Sequence, residues 1–430
     1  MTLVPHQLCD EKAISGCFQD RDSPGVDVVS VSYNDLLNSC CNLDGLSTDA
    51  SFNIDDLIDK AFGSTSLNSL GIIAITEVPN LSALRLKLLP LARKLQLLPS
   101  EELDKITAHE ASYQVGWSHG REKLEGDKPD FSKGSFYANP LTDDLTSTML
   151  KRRKHDVNST GGDIHGDDNN NSFRTLLSWD ESIPSVPSDE YLVELAKSNP
   201  AFFAPNIWPK TSIPELESVF KETGELVHQI GIMVAKCCDS YVASRCPGYK
   251  PHKLEEILRY SKCCKARLLH YFATETSLMD NEKNDDTDFS DWCGWHNDHG
   301  SITGLLPALY LDSDGHIVDC PDPLSGLYIK SRSGRLIHAR LPSDSLAFQV
   351  GETMQVHTGG LLQATPHAVR GCKGTAYHTN MDLPDDRTVE DAQSQQAEKW
   401  LPSTVRTLKS RWRPGMNFGE FSNATFAAFH

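Results

Sequence analysis

The chain has 430 residues and a formal net charge of -18, with 41 Lys and Arg against 59 Asp and Glu. That balance repels phosphate backbones, and no basic stripe offsets it, so a nucleic-acid partner is disfavoured. Hydrophobic residues make up 39%, which allows a sizeable core. The length suits two or three packed units, or one large barrel with helices attached.

Residues 1–30 carry few periodic apolar positions and read as a flexible amino terminus. Their opening, "MTLVPHQLCDEKAISG", lacks an apolar run of leader length. From 31 to 255 the pattern is mixed α/β with long helices. "LGIIAITEV" (70–78) is β-branched and apolar and predicts a buried strand. Asn80 follows as an expected N-cap. Leu81, Leu84, Leu88, Leu91, Leu95 and Leu98 then line one helical face, which Pro90 should kink. Arg85, Lys87, Arg93 and Lys94 within that stretch exclude a membrane span.

"HDVNSTGGDIHGDDNNNSF" marks a flexible loop near 152–172. A second long helix is expected over 212–242, opened by a Ser212/Glu215 capping box, with His228 on a solvated flank and Cys237 and Cys238 packed inside. The 12 cysteines include three adjacent pairs and no C-x-x-C, so zinc-ribbon spacing is absent. A reducing, cytoplasmic setting is the simpler expectation.

Beyond about residue 256 the grammar changes. "ARLLHYFA", "ITGLLPALYL", "GLYIKS", "RLIHARL" and "SLAFQVG" are short β-rich runs separated by turn signals. Such spacing predicts a sandwich or barrel. The expected fold is thus mainly β with flanking helices: a β domain over 256–385 behind the 31–255 region, then a helical tail over 386–430. "DSDGHIVDC" (312–320) begins like a calcium loop, but Pro323 stands where the twelfth-position Glu belongs, so Asp314-Gly315 is read as a hairpin turn.

"GWHNDHGSITG" (294–304) carries the chemistry. Residues two apart on a strand point to one side, so His296 and Asp298 would aim an imidazole and a carboxylate into the same space. His367, in the later "QATPHAVRG", is the candidate third ligand. Two His and one carboxylate are the facial set of non-haem Fe(II) oxygenases. His-x-Asp alone is a weak signal. A second instance, His165-Gly166-Asp167, lacks strand context and a downstream partner. His299 should face away from Asp298, and His357, just before "TGG", is expected at a hairpin.

The surroundings add weight. "GWHNDHGSITGL", "GLYI", "LAFQVGE" and "TPHAVR", in that order, resemble the iron(II)/2-oxoglutarate-dependent dioxygenases, and most nearly their isopenicillin-N-synthase-like branch. "FYANP", "NIWP", "RLLHYF" and "NFGEF" fit the same likeness, which spans roughly 70–430. It implies a double-stranded β-helix, or jelly roll. It also implies Fe(II) held by His296, Asp298 and His367, with Trp295 and Asn297 packing behind them. The co-substrates would be 2-oxoglutarate and O2, and the substrate a small organic molecule.

One departure stands out. The family's Arg for the distal carboxylate of 2-oxoglutarate follows shortly after the distal His, where this chain reads Ala376, Tyr377, His378. Arg370 comes too early and out of strand phase, and Arg387 too late. The Asn-Tyr-Tyr motif has become His270-Tyr271-Phe272. Three readings follow: a 2-oxoglutarate-dependent oxygenase, an oxidase of the isopenicillin N synthase type that needs no 2-oxoglutarate, or a degenerate jelly roll that only binds.

Overall fold

The computed structural model describes residues 26–45, 53–121, 123–124, 128–151, 188–272, 292–371, 375–383, 408–416 and 418–429. Most of the amino-terminal segment, the 152–172 loop with its His165-Gly166-Asp167 triplet, and Arg387 lie outside them.

Seventeen strands are described. The amino-terminal half supplies β1 (Val26–Asp27), β2 (Ser30–Ser32), β3 (Ile72–Thr76), β4 (Gly116–His119), β5 (Lys123–Leu124), β6 (Lys128–Pro129) and β7 (Lys133–Ala138). Next come β8 (Lys265–Tyr271), β9 (Cys293–His296), β10 (Ile302–Leu305), β11 (Leu309–Leu311) and β12 (Ile317–Val318). The rest are β13 (Gly326–Lys330), β14 (Leu336–Arg340), β15 (Leu346–Val350), β16 (His367–Arg370) and β17 (Thr375–Leu383).

A 10-stranded sheet runs β2-β3-β15-β10-β17-β8-β7-β4, with β11 and β12 attached beside β17. A five-stranded sheet runs β1-β14-β13-β16-β9. Pairing is antiparallel except where β1 meets β14 and β2 meets β3.

Period-two alternation explains how the large sheet is buried on both faces. Ile73, Ile75, Ile302, Leu346, Phe348 and Val350 face outward into the main core, beneath the helix Leu216–Ala243. Ile72, Ala74, Leu305 and Ala347 point the other way and meet Ile329, Ile337 and Ala339 of the small sheet. The two sheets therefore pack face to face. Gly304 lets the helix come close: a Cβ there would lie 2.3 Å from Cγ1 of Val227.

Among the described residues helix outweighs strand, so the architecture is mixed sheets with helices rather than mainly β. The reason is the outer face of the large sheet. Covering it takes the 28-residue helix Leu216–Ala243 and the shorter helices Leu81–Leu88 and Pro90–Gln96. The break between the last two falls at Pro90, as the sequence predicts.

Other local expectations change. Asn80 sits at the N-cap position with φ of 62°, and no side-chain bond caps the helix, because that left-handed backbone turns its amide away. The Ser212/Glu215 capping box does not form. Ser212 donates to Oε2 of Glu102 and Glu215 pairs with Lys94, so both side chains serve tertiary contacts. His228 is buried, not solvated: Nε2 lies 2.8 Å from the Leu258 carbonyl, and burial lowers its pKa. Cys237 and Cys238 are buried as expected. Asp312–His316 closes the β11–β12 hairpin, with Gly315 at φ 89°.

Asp239 ties the long helix to the next one, Lys253–Tyr260. Its carboxylate accepts from the backbone N–H of Leu254 and Glu255 and from the Tyr249 hydroxyl. Burial outweighs these bonds and pushes the Asp239 carboxyl up to about 6. The folded state then holds this proton more tightly than the unfolded chain, whose Asp titrates at about 4. The stability that this tighter binding contributes is full below about 4 and is lost as pH rises through about 6. Urea unfolding across that window should show the wild type losing stability relative to Asp239→Asn, and parallel curves would contradict this.

Candidate metal centre

β16 pairs with β9 so that His367 stands directly opposite His296. The register then shifts, Val369 opposing Cys293, and this bulge places an extra residue on β9. In β16 the inward phase is set by its neighbour β13: His367 pairs with Ile329, which faces the large sheet, and Ala368 pairs with outward-facing Tyr328. Both imidazoles thus enter the space between the sheets. The chain leaves β9 and turns, bringing Asp298 alongside.

The result is a tight cluster. Oδ1 of Asp298 lies 3.7 Å from Nε2 of His296 and 3.7 Å from Nε2 of His367. The ring centroids are 4.3 Å apart. One ligand atom from each of the three falls within 4.8 Å of the others, near enough to share one ion.

Backbone groups aim the rings. Nδ1 of His296 is 2.8 Å from the Gly294 carbonyl, and Nδ1 of His367 is 3.2 Å from that of Thr365. An Nδ1–H donated to a carbonyl leaves the lone pair on Nε2, the nitrogen that points at Asp298. The donor set fits a divalent cation on a further observation. Among the described residues, Oδ2 of Asp298 is buried with no hydrogen-bond partner.

The electrostatics agree. Burial pushes the Asp298 carboxyl up, but the imidazoles of His367 and His296 outweigh it and hold it below its ordinary value. His367 is pushed down to about 4 by burial, with His296 beside it. Burial also presses on His296, but Cys293, whose Sγ lies 3.8 Å from Nδ1, and Asp298 raise it to about 10. Burial thus favours the neutral form of His367, while Cys293 and Asp298 favour the charged form of His296.

The remaining candidates fall elsewhere. His299 lies 3.5 Å from Oγ of Ser422 and is held down to about 4 by burial, outside the cluster. His357 closes the helix Glu352–His357 rather than a hairpin, because the chain after β15 coils at once under Asp298. Trp295 packs outward with Tyr328 and Ala368. Asn297 donates to Glu352. Arg370 faces the outer side and hydrogen-bonds Tyr328. Asp312, Asp314 and His316 also cluster, but on the exposed hairpin.

Some relevant residues escaped the sequence reading. Thr303, on the inner face of β10, hydrogen-bonds Asp298. Arg267 on β8 donates to Ser135 and lies over the Tyr137 ring, on the same face as Leu269 and Tyr271. That face meets Val369 of β16. The signal was the alternation Arg267-x-Leu269-x-Tyr271 in a buried strand.

No family model matches the chain, and neither does any curated protein. Solved structures do. A full-length Neurospora crassa protein in complex with alpha-KG aligns at 16% identity over 94% of this chain and 96% of its own, with a TM-score of 0.55. A 2OG-Fe(II) oxygenase family protein from Caulobacter crescentus aligns at 13% identity over 95% and 100%, TM-score 0.53. JOX2, in complex with 2OG, Fe and JA, aligns at 11% identity over 97% and 94%, TM-score 0.50. The chain thus shares, over nearly its whole length, the fold of 2OG-Fe(II) oxygenases.

The turn bearing Asp298 has no spare room. A Cβ on Gly351 would lie 1.9 Å from the Gly300 carbonyl oxygen and 3.1 Å from that of Asp298. Gly351→Ala should cost about 1–3 kcal/mol, the usual range for overpacking, read as a fall in Tm. An unchanged Tm would mean that the turn is slack.

Proposed function

We propose that the protein is a non-haem Fe(II) oxygenase that uses 2-oxoglutarate and O2 to oxidise a small organic molecule, with His296, Asp298 and His367 as the iron ligands. The observation that carries this reading is the convergence of the two Nε2 atoms and Oδ1 of Asp298 between two facing sheets. We read those sheets as the double-stranded β-helix of the isopenicillin-N-synthase-like branch, with residues 256–385 as its catalytic part, 31–255 as the mixed α/β region and 386–430 as its tail. The adjacent cysteine pairs of the sequence, neighbours that rarely bond to each other, accord with a reducing, cytoplasmic setting.

Fe(II) bound here would activate O2 for attack on a C–H bond, chemistry that belongs to the metal. The chain's own part is to hold the Nε2 tautomers, keep the Asp298 carboxylate ionised and exclude water between the sheets. Alpha-KG or 2OG accompanies two of the similar structures, which supports 2-oxoglutarate as co-substrate. No Arg occurs in the sequence of β17, and Arg267 on the adjacent β8 is the cation we place opposite a ligand carboxylate. That same lack favours a second reading, an oxidase that draws its electrons from the substrate alone.

An anaerobic Fe(II) titration, with and without 2-oxoglutarate, tests the first reading. We expect one Fe(II) per chain, a weak visible charge-transfer band when 2-oxoglutarate is added, and neither in His367→Ala. Iron retained by that variant would remove His367 from the ligand set. Release of labelled CO2 from 2-oxoglutarate, even uncoupled from product, eliminates the oxidase reading. Arg267→Met should raise the KM of whichever ligand carries the carboxylate by roughly 30-fold or more, since losing a desolvated charge pair costs about 2–5 kcal/mol.

A further inference from the structure

A buried chain of polar contacts runs from the carboxy-terminal segment to the turn that carries Asp298. Glu352 is 1% exposed and Arg411 5%. Oε1 of Glu352 accepts from Nη2 of Arg411 and from Nδ2 of Asn297, the residue before Asp298. Arg411 is fixed in turn by Nη1 donating to Oγ1 of Thr425, and its guanidinium lies 5.7 Å from the Phe421 ring centroid. Both partners belong to the helix Phe418–Phe429.

The backbone reinforces this link. The N–H of Glu352 donates to the Asp298 carbonyl at 2.8 Å, that of Gly351 to Ser301 at 3.0 Å, and that of Thr353 to Gly300 at 3.3 Å. Oγ1 of Thr353 donates to the His299 carbonyl, and Oγ of Ser422 lies 3.5 Å from Nε2 of His299. Val356, Trp412 and Phe421 pack beside these contacts as a small apolar cluster. The contacts described from residues 411–425 to the 297–301 turn thus pass through Glu352 or through the His299 ring. None of the contacting side chains is one of the proposed iron ligands.

We propose that Arg411 and Glu352 are positioning residues of the metal centre, so that the carboxy-terminal segment sets the Fe(II) affinity of a site it does not touch. The idea rests on the reading of His296, Asp298 and His367 as ligands. Groups behind metal ligands change affinity by orienting them, and Asn297 and the Asp298 carbonyl are where Glu352 takes hold.

The test uses the full-length metal-free protein with Co(II) as a spectroscopic probe and Fe(II), under anaerobic conditions, for affinity. Arg411→Met keeps the side-chain length and removes the charge. Pairing it with Glu352→Met takes away the uncompensated carboxylate, a replacement that well-packed apolar side chains often tolerate. We expect both variants to bind Fe(II) about 10–100-fold more weakly, the range seen for groups behind metal ligands. Their Co(II) ligand-field bands should be displaced, and Arg411→Lys should recover part of the loss. A purely structural role would lower Tm but leave the Co(II) bands and the affinity of the folded double variant at wild-type values, and that result overturns the proposal. Should Arg411→Met fail to fold, the double variant and Glu352→Gln supply the same readout. Wild-type protein that takes up no Co(II) overturns the ligand assignment itself, whereas normal Co(II) binding by wild type and variants alike overturns only the positioning role.

Discussion

A carboxylate placed between two packed sheets must be met by positive charge or it destabilises the fold. Asp298 sets that condition at the centre of this molecule. Two imidazoles face it at equal distance, one hydroxyl from Thr303 reaches it, and one of its oxygens finds no hydrogen bond among the described residues. Much of the surrounding geometry serves to keep this group in place. The β9–β16 register sets the two rings opposite each other, the Gly351 backbone lies against the turn, and Glu352 holds Asn297 and the Asp298 carbonyl.

The large sheet supplies a rigid frame for that centre, in which the His296 side chain stays 34% exposed and that of Asp298 15%. Strands β3, β10 and β15 each offer one apolar row to the helices and another to the small sheet, so they are fixed from both sides. Polar residues interrupt the inner rows, and two of them, Thr303 and Gln349, sit on neighbouring strands as a cross-strand pair. Placing them there costs burial energy that a purely structural sandwich would avoid. Breaking the Arg411–Glu352 pair on one side only would leave a lone buried charge, a loss of about 3–5 kcal/mol in comparable cases. Such a pair is weak support for stability and better explained by geometry it must hold.

Local periodicity made much of this legible in the sequence. The β-branched, apolar run "LGIIAITEV" and the turn-bounded, β-rich "SLAFQVG" marked two strands of the large sheet, Pro90 divided its helix, and Asp314-Gly315 closed its hairpin. Strand alternation was expected to set His296 and Asp298 on one side, but β9 ends at His296 and it is a turn that brings Asp298 alongside; the resemblance pointed to His367 as their companion. What stayed hidden depended on partners distant in sequence. Nothing near Glu352 announces Arg411 59 residues later. His228 looks like a surface residue until Leu258 comes to lie over it. Ser212 and Glu215 carry a capping signature, yet Glu102 and Lys94 claim them first. The share of helix was underestimated for the same reason, since the need to cover a sheet's outer face is a property of the assembled layers.

One small feature at the start of the described chain governs how the layers can separate. β1 forms the edge of the small sheet and β2 the edge of the large one, with only Val28 and Val29 between them, each tucked into a different apolar cluster. A stitch this short binds the two layers along a spine. The opposite margin is stitched too: β9 and β4 end the two sheets there among the described residues, and the five-residue turn 297–301 ties β9 to β10 beside the His296 imidazole.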